Sequence, residues 1–177
     1  MRQQTDAAAG QAAFDRIGND PVRWIAQGND LVRASRLLRE RTPFAGPQPP
    51  GPDFVRSMLL LRAFALECYV KAMWLLAGNK LAVAGKFEKI PGVHNHDLVA
   101  LAGKVGLPLK PLEKGCLCRL THFGVFGRYP INADWRAQAG KSFWSDADEE
   151  EWEAVRVRVD KRLRTMRTGS RRTSRCS

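Results

Sequence analysis

Residues 52–79, PDFVRSMLLLRAFALECYVKAMWLLAGN, form a long and almost wholly apolar stretch around which the rest of the chain must organise. No Pro or Gly interrupts residues 53–77, and Leu, Ala and Met abound, so the stretch predicts one helix. Pro52 or Asp53 can open it. Gly78-Asn79 supplies residues that tolerate a left-handed cap. At about 100° per residue, Arg56, Leu60, Ala63, Glu67, Lys71 and Trp74 share one narrow face. A helix apolar on nearly every side is either the centre of a bundle or a membrane span. Arg62, Glu67 and Lys71 exclude the span, since each costs about 2.5–3.5 kcal/mol at a bilayer centre. Glu67 and Lys71 stand at i, i+4. They read either as an intrahelical salt bridge, worth about 0.3–0.5 kcal/mol, or as a polar site inside the bundle.

The remaining chain fits an all-α domain. Its 177 residues suit one domain with a substantial core, and a hydrophobic content of 44% is ordinary for a folded protein. The opening MRQQTDAAAG lacks the apolar run of a signal peptide, and no apolar stretch reaches membrane-spanning length, so we expect a cytoplasmic protein. Four cysteines suit a reducing compartment. Of these, Cys68 falls inside the central helix and Cys176 in the tail.

Residues 1–19 are polar and alanine-rich without a clear start signal, and are expected as a flexible arm. The bundle domain is expected over residues 20–167. Asp20-Pro21 is a good helix entrance, opening a helix that runs to about Glu40 with Trp24, Ile25, Leu31, Val32 and Leu38 as its apolar stripe. Residues 42–52, rich in Pro and Gly, form a loop. Residues 80–94 form a polar connector. Asp97 can cap a short helix carrying Leu98, Leu101 and Ala102. A further helix carries Leu112, Cys116, Leu120 and Phe123. Residues 127–130 break it, and the aromatic segment with Trp135, Phe143 and Trp144 is expected to lie across the bundle. Ser145 and Asp148 form an S-x-x-D entrance. The last helix buries Trp152, Val155, Val159, Leu163 and Met166. No strand is predicted.

The net charge of +11 is concentrated at the C-terminal end, where residues 155–177 hold nine Lys or Arg against one acid, Asp160. Such a surplus attracts nucleic-acid phosphates. However, acids crowd the start of the same helix (Asp146, Asp148, Glu149, Glu150, Glu151, Glu153), and the helix dipole favours this polarity for stability alone. Residues 168–177 are expected as a basic, disordered tail that stability does not explain.

Three short motifs occur in order: residues 65–72 (ALECYVKA), residues 96–98 (HDL) and residues 127–130 (GRYP). Together they resemble the HEPN superfamily, small helical bundles widespread in prokaryotic defence and toxin–antitoxin systems. The resemblance covers roughly residues 21–167. It implies an antiparallel bundle of four to five helices, frequently paired as a homodimer or with a partner protein. Active members are metal-independent ribonucleases that use an Arg and a His separated by four to six residues. In that chemistry His moves the proton of the RNA 2′-hydroxyl and Arg stabilises the charged transition state.

This chain departs from the pattern. None of the positions five to seven residues before His94, His96 or His122 is Arg. Arg119 and His122, at i, i+3, are the nearest substitute and share a helix face. They are therefore the candidate catalytic pair of a displaced endoribonuclease. The candidate binding set, for a nucleotide or RNA phosphate, is Glu67, Lys71, His96, Asp97, Arg128 and Tyr129. Many HEPN-like proteins without the active motif serve as binding or structural subunits, and this is the expected function here. A purely structural interaction module is the third alternative. No metal is expected, because Cys116 and Cys118 point about 200° apart on a helix and cannot share an ion with His122. No Gly-rich phosphate loop occurs, and no cofactor is expected.

Overall fold

The computed structural model describes residues 2–41, 54–94, 96–126 and 144–173. Six helices appear among them: α1 (Arg2–Gly18), α2 (Pro21–Glu40), α3 (Val55–Leu76), α4 (Leu98–Lys104), α5 (Pro111–Phe126) and α6 (Asp146–Thr173). One small antiparallel ribbon joins β1 (Ala82–Val83) to β2 (Lys86–Phe87). The chain is thus an all-α helical bundle.

Helix α3 is the centre. It packs against α2, α4, α5 and α6. Met58, Leu59, Ala65, Leu66, Val70, Ala72 and Met73 are all buried on it, while Leu60, Leu61, Phe64 and Trp74 are half-buried, so most of the apolar surround read from its sequence is covered. Four other helices share this surface, and the hydrophobic gain is large because a buried Leu or Met contributes roughly 1.5–3 kcal/mol. No helix among the described residues is long and apolar enough to cross a membrane.

Capping follows the sequence. Asp20 accepts from Val22 N at 2.9 Å and Pro21 takes the first turn of α2. Asp97 accepts from Ala100 N at 3.0 Å to start α4. Ser145 and Asp148 close a reciprocal box at the head of α6, with Ser145 N donating to Asp148 Oδ2 at 3.0 Å and Asp148 N donating to Ser145 Oγ at 3.3 Å.

Three expectations are corrected. Most of the N-terminal arm is helix α1. Its alanine-rich sequence has high helix propensity, and Asp15 accepts from Gly85 N at 2.9 Å, which ties the helix to the ribbon. The polar connector contains that ribbon. Its two-residue turn, Ala84-Gly85, has φ of 53° and 75°, the double positive φ that matches strand twist. Asn19 fixes its first strand, its side chain accepting from Leu81 N and Ala82 N and donating to Ala82 O at 2.8, 3.0 and 2.7 Å. Finally, α6 continues to Thr173, past the expected limit at 167. The proline-rich loop at residues 42–52 and the aromatic segment's Trp135 and Phe143 lie outside the described residues; Trp144 is buried.

Candidate functional site

Glu67 and Lys71 face one another on successive turns of α3, with Lys71 Nζ donating to Glu67 Oε1 at 2.5 Å. The second carboxylate oxygen meets His96, whose Nδ1–H donates to Glu67 Oε2 across 2.9 Å. An ionised carboxylate has only acceptors, so this contact sets the imidazole tautomer. Three of the six predicted binding residues therefore come together around one carboxylate.

The cluster is enclosed. Glu67 and Lys71 are 7% and 8% exposed. The Lys71 ammonium lies 4.9 Å from the Trp24 ring centroid and 5.0 Å from that of Phe87, so α2 and the ribbon clamp it between two aromatic faces. Trp24 is held in turn by its indole N–H, which donates to Gly18 O at 2.9 Å. The ammonium is thus committed to Glu67 and the two rings. His96 is half-buried, with Phe64 and His94 beside it at centroid distances of 6.2 and 5.7 Å. His94 is exposed, so the imidazole edge is where the cluster reaches solvent. Burial pushes the neighbouring Cys68 thiol up to about 11, which keeps it a protonated core group.

Asp97 does not join this cluster through its carboxylate, which caps α4. Arg128 and Tyr129 lie outside the described residues.

The candidate catalytic pair sits on α5, which also meets the start of α4 where Leu98 N donates to Thr121 Oγ1 at 3.1 Å. Arg119 Nη2 donates to Asp148 Oδ1, and Asp148 is itself buried at the α6 cap. Arg119 Nε is buried without a partner among the described residues. His122 stands edge-on to Phe123, with centroids 5.8 Å apart. Cys116 is buried and Cys118 exposed, the opposed orientation expected of i, i+2 on a helix. Burial raises the Cys116 thiol to about 12. Among the described residues no group of three His, Cys, Asp or Glu could hold a metal ion.

Sequence reasoning missed the aromatic clamp on Lys71 and the ion pairs that dock α6. Besides Arg119–Asp148 these are Arg62–Glu149 and Arg158–Glu113, the latter at 2.6 Å with Glu113 fully buried. Each joins residues far apart in sequence, which no local spacing signals. No protein-family model, curated protein or solved structure matches the chain.

Proposed function

We propose that the chain is a HEPN-like helical module without nuclease activity. It associates with itself or with a partner protein and touches RNA or nucleotide phosphate through the basic half of α6. The observation that supports this reading most is the engagement of Arg119 by buried Asp148. A ribonuclease of this type needs a guanidinium turned toward the scissile phosphate. Here Arg119, three residues before His122, is a strut between α5 and the head of α6. The lack of an Arg at family spacing from any His points the same way. The basic half supplies the RNA contact: Lys161, Arg162, Arg164 and Arg167 are exposed.

The test follows a labelled single-stranded RNA in EDTA, by anisotropy and by fragment length. The reading expects binding that weakens steeply with salt, and an intact RNA. Cleavage lost in His122→Ala would replace it with the ribonuclease reading. No binding at low salt would leave the purely structural module.

A further inference from the structure

Helix α6 carries an exposed stripe that is complementary to itself. Taking Val157 as origin, positions four and seven residues away in each direction lie within about 40° of it around the helix. Toward the N-terminus these are Glu153 and Glu150; toward the C-terminus, Lys161 and Arg164. One turn further out lies Asp146. Glu150, Lys161 and Arg164 are exposed, and their side chains have no partner among the described residues. Glu153 is partly exposed and accepts from Arg156 Nε at 2.7 Å, with Arg36 at 3.8 Å. Val157, at the point where acid gives way to base, is 58% exposed. A groove of about 350 Å³ lies against it, lined by Val157, Asp160, Lys161, Arg164 and Thr165.

We infer that this stripe is the contact between two copies of the chain, which cross antiparallel at Val157. A two-fold axis through Val157 brings each Glu150 to the partner's Arg164 and each Glu153 to the partner's Lys161. The two Val157 side chains meet on the axis. A two-fold interface requires self-complementarity of this kind, in which residue i meets j and j meets i. The helix dipole explains acids early and bases late. It does not explain why they share one stripe at equal distances from an exposed valine. In this dimer Lys161 and Arg164 face the partner's acids, and exposed Arg162 and Arg167, off the stripe, remain for RNA. A single helix pair buries less than the roughly 800 Å² per partner of a standard interface, so the dimer is reversible. The net charge of +11 on each copy opposes it at low salt. The inference deepens the self-association in the reading above and rests on that reading only there.

The experiment is sedimentation analysis of the full chain at about 0.15 M salt, where the screening length is about 8 Å. Two variants are compared with it: Glu150→Lys/Glu153→Lys and Lys161→Glu/Arg164→Glu. Wild type is expected to dimerise with concentration. Each variant alone should dimerise at least about tenfold more weakly, because like charges then face each other. Mixed in equal amounts, the two should form a heterodimer. Circular dichroism checks folding, and Glu150→Lys alone replaces the first variant if Glu153 proves necessary to the fold. A wild-type dimer indifferent to these changes overturns the inference while self-association stands. A wild type that stays monomeric overturns both. If Lys161→Glu/Arg164→Glu then also lowers RNA retention, the stripe's basic half belongs to a polyanion.

Discussion

Glu149 holds the guanidinium of Arg62 with both carboxylate oxygens, at 2.5 and 2.6 Å, in the middle of the bundle. Arg62 is 1% exposed. Its guanidinium also lies 5.6 and 5.5 Å from the ring centroids of Trp144 and Trp152. Trp144 donates its indole N–H to Glu149 at 3.0 Å, while Arg62 Nε is buried without a partner among the described residues. The charge that seemed only to bar α3 from a membrane is thus the fixture that seats α6 on it.

Breaking this pair on one side should be costly. Glu149→Ala leaves a buried guanidinium uncompensated and should lower the unfolding free energy by about 3–5 kcal/mol. The double variant Arg62→Met/Glu149→Leu should cost clearly less, since it leaves no buried charge. Urea titration of both checks the order.

The same pair should make stability depend on acid pH. Burial pushes the Glu149 carboxyl up, but hydrogen bonds from Arg62 and Trp144 and the Arg62 charge outweigh it, leaving it below its usual 4.5. A carboxylate depressed in the folded state contributes stability that is present above the unfolded value and lost as pH falls through the folded one. Wild type should therefore lose stability below about pH 4.5. Arg62→Met/Glu149→Leu should show a shallower loss there in thermal melts.

Gly28 lets α2 lie directly on Tyr69. A Cβ at this position would stand 2.6 Å from Tyr69 Cε1. Tyr69 cannot swing away, because it is buried and its hydroxyl donates to Asn29 Oδ1 at 2.8 Å. Gly28→Ala should therefore destabilise by about 1–3 kcal/mol through overpacking, although Ala is the better helix former. Thermal unfolding tests this; an unchanged or raised midpoint would contradict it.

Asn19 is the pin between α1 and the ribbon. Asn19→Ala strands the buried amides of Leu81 and Ala82 and should cost about 1–3 kcal/mol. Hydrogen exchange should accelerate at residues 81–83 before it does in α3.

Much of this fold is legible in the chain. The run on α3 announces a central helix because its length and lack of breakers admit little else. Asp20, Asp97 and the Ser145/Asp148 box mark helix starts because capping is local chemistry. The Glu67–Lys71 contact follows from i, i+4 spacing alone. What stays hidden is held by distant partners. Residues 2–18 look featureless until Asp15 and Asn19 meet a ribbon more than sixty residues later. Lys71 looks available until Trp24 and Phe87 close over it. Arg119 and His122 look like a pair by spacing, but Asp148 reaches Arg119 from another helix.

RNA cleavage in EDTA by the purified chain, run beside His122→Ala, bears most directly on the central claim that Arg119 is a structural strut and the module is not a nuclease. The account predicts that wild type and variant leave the RNA equally intact. Fragments produced by the wild type and absent with His122→Ala, at unchanged folding, would contradict it.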